Sequence, residues 1–147
     1  MRCLEMGTYL QNVDYNWREV LLKLYRPMKV ISLKAIAPKS TSHGVGQKRV
    51  LLSKEEAESS LTQIAVTTLQ AGEVAEKHQH ATMEECFFFL RGVAKLTVNG
   101  EAMECRDGDF VQVKCMESHK LEAVTDIEVM TIGVAIGDET TKYKVER

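Results

Sequence analysis

Between Gly72 and Gly92 the sequence reads GEVAEKHQHATMEECFFFLRG, with two histidines and a glutamate spaced between two glycines. Residues two apart in a β-strand point to the same face, so His78 and His80 are predicted to leave the backbone side by side. A turn directly after them would return the chain and aim Glu85 at the same point. Imidazole and carboxylate together suit a borderline divalent ion such as zinc, iron, nickel, copper or manganese. The stretch therefore predicts a metal site at the start of a strand pair.

The rest of the chain from residue 28 onwards alternates between short β-type runs and turns. Short strands without alternating helices are typical of an all-β fold, and a double-sheet jelly roll is its natural closure. The dipeptide Asn99-Gly100 predicts a type I′ hairpin turn. The predicted strands are MKVISLKAIA, QKRVLLS, LTQIAVTTL, the first histidine strand, CFFFLRG, the two arms of VAKLTVNGEAMEC, FVQVK, HKLEAVT and IEVMTIGVAI. Pro38 to Gly46 is predicted to be a loop, and it contains His43.

The first 27 residues differ from the rest and predict a short helical extension. Trp17, Val20, Leu21 and Leu24 follow the spacing of an amphipathic helix, and Pro27 would end it. A second interpretation is that translation starts at Met28 instead. We therefore predict an N-terminal helical extension over 1–27 and a single β-barrel domain over 28–147.

Composition excludes several classes of protein. A length of 147 residues fits one domain, and a formal net charge of −2 gives no positive field for nucleic acid. No apolar run approaches a membrane span and the start does not resemble a signal peptide, so we expect a soluble, cytoplasmic protein. The four cysteines form no CxxC pair, which favours free thiols over a disulfide framework.

With its flanking glycines, the first motif resembles the cupin superfamily, whose first signature is G-x5-H-x-H-x(3,4)-E-x6-G. Glu84 would also satisfy the shorter spacing, but Gly92 would then fall out of register, so Glu85 is preferred. The second signature, G-x5-P-x-G-x2-H-x3-N, is matched at Gly108 and His119. Three other positions of that signature depart from it, since Lys114 replaces the proline, Met116 the glycine and Ala123 the asparagine. The resemblance covers about residues 61–136.

This resemblance implies an all-β cupin barrel, a double-stranded β-helix of jelly-roll type. It also implies one divalent transition metal per chain (Fe, Ni, Cu, Mn or Zn), bound by His78, His80, Glu85 and His119. A homodimer and a small-molecule substrate or ligand are expected as well. If Glu85 points inward, period two sends Phe87, Phe89 and Arg91 the same way, and these residues with Gln112 are candidate substrate contacts.

Two functions remain open at this stage. The first is an enzyme of dioxygenase or isomerase type acting on a small metabolite, for which Glu84, Glu117 and His43 are candidate acids or bases. The second is a non-catalytic module that binds a saccharide-like ligand in carbohydrate metabolism. A DNA-binding regulator is excluded because the sequence contains no helix-turn-helix and no basic domain.

Overall fold

The structure, a computed structural model, describes residues 28–137; residues 1–27 and 138–147 lie outside the described part. The predicted N-terminal helix therefore falls outside the described residues. Every strand named below belongs to the unit Ile31–Arg147. Within residues 28–137, no helix is long and apolar enough to cross a membrane.

Ten strands and one short 3-10 turn make up the described part of the chain. The strands are short and rich in β-branched and aromatic residues, as half-buried strands usually are. The 3-10 turn spans Leu33–Ala35. The strands are β1 Lys39–Ser40, β2 Gln47–Ser53, β3 Leu61–Leu69, β4 Val74–His78, β5 Met83–Arg91, β6 Ala94–Val98, β7 Glu101–Cys105, β8 Phe110–Val113, β9 His119–Ala123 and β10 Ile127–Ala135.

The strands form two antiparallel sheets, as expected for a jelly roll. One sheet has six strands in the order β1-β2-β3-β10-β5-β8, and the other has four in the order β4-β9-β6-β7. Strands β5 and β9, which carry Glu85 and His119, belong to different sheets. The all-β double-sheet fold predicted from the sequence is confirmed.

The core is built from the alternate residues that each sheet turns inward. The six-stranded sheet contributes Phe87, Phe89 and Val129, and the four-stranded sheet contributes Leu96 and Leu121, in one contiguous cluster. Phe89, Leu96 and Val129 have no exposed surface. At about 25 cal/mol per Å² of apolar surface, burial on this scale is the main stabilising contribution.

The prediction of a strand over MKVISLKAIA is wrong. Met28 and Val30 belong to no strand, both of their side chains are more than 80% exposed, and the 3-10 turn begins at Leu33. The open edge of β2 is instead occupied by the two-residue strand β1, which lies inside the predicted loop 38–46. Alternation alone predicted a strand here, but a strand also needs a neighbour with free backbone groups.

The hairpin turn predicted at Asn99-Gly100 and the turn predicted after the two histidines are both confirmed. Asn99 and Gly100 both have positive φ, +49° and +88°, as a type I′ turn requires. Strands β6 and β7 pair around this turn with Val98 opposite Glu101. The chain turns back after His80, and β5 begins at Met83.

Candidate metal centre

Four polar side chains meet where β4 ends and β5 and β9 begin. One ligand atom from each of His78, His80, Glu85 and His119 lies within 4.8 Å of the others. His78 is the last residue of β4, and His119, the first of β9, is its cross-strand partner. His80 lies beyond the strand end rather than on it, so the predicted strand geometry of the His-x-His pair holds only for its first member.

Backbone carbonyls fix the orientation of two of the imidazoles. The Nδ1 atoms of His78 and His119 lie 2.8 Å and 3.1 Å from the carbonyl oxygens of Glu76 and Glu117. A carbonyl oxygen can only accept, so both Nδ1 atoms donate and both Nε2 atoms keep a free lone pair. This arrangement, in which the second ring nitrogen is held by a carbonyl, is typical of histidines that bind a metal.

The donor set fits a divalent ion. His119 is only 1% exposed, and its buried Nε2 has no hydrogen-bond partner of acceptable geometry. A buried polar atom without a partner costs free energy, and a metal ion would remove that cost. Glu85 Oε2 lies 3.3 Å from this nitrogen and 3.3 Å from His80 Nε2. Three imidazoles and one carboxylate suit a borderline transition metal.

Charge in the cluster is organised around Glu85. Burial opposes ionisation of this carboxyl, but His119 and the other histidines outweigh it and hold the Glu85 pKa below its ordinary value. Burial also lowers the pKa of His119, yet the nearby Glu85 carboxylate and the Glu117 carbonyl raise it overall. Burial lowers the pKa of His78. The metal-free cluster therefore favours an ionised Glu85 next to a readily protonated His119.

Hydrogen bonds hold the turn before His119 in place although its sequence departs from the second signature. Glu117 accepts a hydrogen bond from the Lys114 backbone N–H at 2.8 Å, and the Met116 N–H donates to the His80 carbonyl at 2.8 Å. The Cys115 thiol donates to the Ala81 carbonyl at 2.9 Å. The turn is thus joined directly to the segment that carries His80. Met116 occupies the glycine position with φ +67°, in the left-handed region.

A cavity of about 90 Å³ opens from the cluster into the barrel between the two sheets. Its apolar part includes Phe87, whose ring packs edge-on against His119 with centroids 5.8 Å apart. Four further polar residues of its lining, which lie on the strands of the six-stranded sheet, were not anticipated from the sequence: Lys48, Gln63, Thr67 and Thr131. The only sequence signal for these residues is their place at inward positions of period-two strands, which becomes readable once the strand register is known.

His43 lies at the cavity next to the ligands. Its ring centroid is 4.2 Å from that of His78, with the planes inclined at 37°. Burial lowers the pKa of His43, so the imidazole is predominantly neutral at pH 7. A neutral imidazole can either donate or accept a proton, which makes this loop histidine a group with acid–base capacity near the cluster.

The predicted substrate contacts separate into two groups. Phe87 lines the cavity, and Phe89 is fully buried in the core behind it. Arg91 lies at the end of β5 away from Glu85, exposed and 3.3 Å from Glu128. Gln112 was predicted to face the interior, but its side chain points outward and donates to Glu84 at 2.9 Å. The β5–β8 register explains this orientation, because Val113, and not Gln112, is the partner of Glu85.

The remaining acid–base candidates are engaged elsewhere. Glu84 accepts the hydrogen bond from Gln112, on the face of β5 opposite to Glu85. Both carboxylate oxygens of Glu117 take part in the turn, one with the Lys114 N–H and one with the Asn99 amide at 3.3 Å. Of the three candidates, His43 is the one that lines the cavity.

The comparisons with known proteins agree with this architecture. Residues 65–135 match the family model of the cupin domain. A crystal structure of a predicted oxalate decarboxylase from Thermotoga maritima is 25% identical, with a TM-score of 0.69 over 74% of this chain and 100% of that chain. Ectoine synthase from P. lautus is 18% identical, with a TM-score of 0.64 over 73% and 78% of the two chains.

A third structure, KdgF from Halomonas sp., has the same fold at 12% identity, with a TM-score of 0.64 over 78% of this chain and 98% of that one. No curated protein sequence matches the chain significantly. The cupin-domain match includes the three histidines and Glu85, and the two antiparallel sheets repeat the fold of these structures. On these grounds residues 65–135 form a cupin domain.

Proposed function

We propose that the chain binds one divalent transition metal (Fe, Ni, Cu, Mn or Zn) through His78, His80, Glu85 and His119. The observation that carries the proposal is the buried Nε2 of His119, which lacks a hydrogen-bond partner within a cluster of convergent ligand atoms. The two carbonyl-anchored Nδ1 atoms support it, because they leave the Nε2 lone pairs free.

The proposed activity is that of an enzyme acting on a small metabolite, of dioxygenase or isomerase type. A divalent ion at this site would act as a Lewis acid toward an oxygen atom of the metabolite. The protein residues supply the surroundings: Phe87 makes an apolar wall that limits water, and His43 can hold or move a proton beside the cluster. The cavity volume of about 90 Å³ favours a molecule of few heavy atoms.

Two of the structurally similar proteins bear the names of enzymes, a predicted oxalate decarboxylase and ectoine synthase. Because one fold hosts many chemistries, these names support an enzyme only in general terms and do not specify a reaction.

The alternative proposal is a non-catalytic module that binds a saccharide-like ligand in carbohydrate metabolism. It is favoured by the engagement of the Glu84 and Glu117 carboxylates in other hydrogen bonds, which leaves His43 as the one of the three predicted acids or bases that lines the cavity. In this case the metal would have a structural role, holding the ends of β4, β5 and β9 together.

Metal content measured by elemental mass spectrometry tests the metal proposal. We expect about one ion per chain in the wild type and loss of the ion in His80→Ala, while the circular dichroism spectrum stays unchanged. His80 is about one third exposed, so its removal should not unfold the barrel. His43→Ala is the matched control and should keep its metal, because His43 is outside the group of convergent ligand atoms.

Full metal occupancy in His80→Ala would contradict the proposed ligand set. To separate the enzyme from the binding module, the metal-loaded wild type and His43→Ala would be screened for turnover of small metabolites. Turnover that depends on both the metal and His43 supports the enzyme. Saccharide binding that survives metal removal without turnover supports the module.

A further inference from the structure

The polar side of the cavity contains a lysine for which the proposed metal site gives no role. Lys48 lies on β2 opposite Thr67 of β3, and both side chains line the cavity together with Glu85 and His119. The Lys48 Nζ donates to Gln63 Oε1 at 3.1 Å. Gln63 lies four residues before Thr67 on the same face of β3, so this hydrogen bond directs the ammonium along the sheet.

The direction of that hydrogen bond leads toward the candidate metal centre. Gly133 of β10 pairs with Gln63 on one side and with Glu85 on the other, so Gln63 and Glu85 lie in one row across the sheet. The hydrogen bond to Gln63 therefore points the Lys48 ammonium away from the row of Thr67 and toward the row of Glu85, a proposed metal ligand. Gln63 acts as its positioning residue.

The described residues do not neutralise the charge of Lys48. Within residues 28–137, the only polar partner within bonding distance of its ammonium is the Gln63 amide oxygen, and no carboxylate forms an ion pair with it. The side chain is partly buried, so water screens its charge less than on an open surface. A partly desolvated cation facing a cavity favours an anionic occupant.

We propose that the cavity binds a small carboxylate, with one carboxylate group held by Lys48 and the opposite end of the molecule directed to the metal. This inference rests on the proposed metal function and adds the substrate class to it. An ammonium–carboxylate hydrogen bond is stronger than a neutral one, so Lys48 selects acids over neutral molecules of the same shape. The hydroxyls of Thr67 and Thr131 line the same wall and can donate to the other carboxylate oxygen.

The test compares malonate with malonamide, a neutral molecule of similar size that also offers two oxygen donors. Calorimetric titrations of the metal-loaded wild type should show a preference for malonate, and Lys48→Met should reduce that preference about ten-fold or more. Lys48→Met should keep the metal content of the wild type. Lys48→Arg retains the positive charge and should retain the preference, which a purely structural role of Lys48 would not predict.

Lys95→Met is the matched control, because Lys95 is an exposed lysine of the four-stranded sheet that pairs with Glu122. It should leave the preference unchanged. A Lys48→Met variant that keeps both its metal and its malonate preference overturns the carboxylate proposal and leaves the metal proposal intact. If the wild type takes up no metal, the metal proposal fails instead. Malonate binding to the metal-free chain then decides the carboxylate proposal, which requires that binding to weaken in Lys48→Met.

Discussion

The Nε2 of His119 lies 3.3 Å from Oε2 of Glu85, so the most buried histidine of the cluster faces its only carboxylate. Each group stabilises the charged form of the other. Burial disfavours both charges, yet the Glu85 pKa is lowered and the His119 pKa is raised. A proton on His119 Nε2 would therefore compete with a metal ion for the same lone pair.

Metal affinity should fall as the pH falls. His119 must lose its proton to bind a metal, and its pKa lies above the ordinary value of about 6.5, so competition by protons begins at a higher pH than for an ordinary histidine. With one proton displaced, we expect the apparent Kd for zinc to rise about ten-fold per pH unit below the His119 pKa. Competition with a chromophoric chelator between about pH 6 and 8 measures this slope.

Glu85→Gln serves as the control for the pH dependence. Without the carboxylate, His119 loses the strongest influence that raises its pKa, while burial still lowers it and Glu117 still raises it, so the inflection should move to lower pH, although the variant binds zinc more weakly throughout. An inflection at the same pH in both proteins would show that the coupling between Glu85 and His119 does not set it.

Gly92, the last residue of the first signature, should tolerate no side chain. Its φ is +89°, and a Cβ there would collide with the carbonyl oxygen of Asp126 and lie 2.9 Å from the Thr125 hydroxyl. Gly92→Ala should lower the free energy of unfolding by about 3 kcal/mol, from backbone strain and collision together. Urea unfolding of the metal-free protein measures the loss.

The matched control for Gly92 is Gly100→Ala. Gly100 has nearly the same φ, +88°, but a Cβ would meet no atom within 4 Å. Its loss should be limited to the strain of about 1 kcal/mol. Equal losses in the two variants would mean that the collision with Asp126 contributes nothing.

The fold and the ligand cluster could be predicted because they depend on local patterns. Strands β2 and β3 have the predicted bounds, since their β-branched and alternating residues are bounded by clear turn residues. The ligand spacing survives even where the turn before His119 has changed, because Glu117 and Cys115 supply the hydrogen bonds that hold it.

Other features depend on contacts that a single sequence does not show. Lys48 reaches the cavity because of the β2–β3 register, which includes an irregularity between Val50 and Leu52. The same limitation explains the outward position of Gln112 and the absence of a strand at Met28. In both segments the period-two pattern does not show which strand, if any, lies alongside.

Met116 carries a backbone conformation that favours glycine, the residue of the cupin signature at this position. Its φ is +67° and its side chain is 57% exposed, so replacement loses little packing. Met116→Gly should raise the free energy of unfolding by about 0.5–1 kcal/mol, because relief of strain exceeds the added entropy of the unfolded chain. Met116→Ala keeps the strain and should change stability by less. A destabilised Met116→Gly would show that the methionine side chain makes a needed contact.

The homodimer expected from the sequence remains a prediction, and the outer face of the six-stranded sheet offers a place for it. Phe88 and Phe110 are cross-strand partners on β5 and β8, 38% and 59% exposed, and two adjacent exposed phenylalanines favour a covered surface.

Phe88→Asp would place a charge in such an interface, so we expect a dimeric wild type and a monomeric variant by light scattering. Val124→Asp, at an exposed valine between β9 and β10, should leave the dimer intact. A Phe88→Asp protein that stays dimeric would exclude this face as the interface.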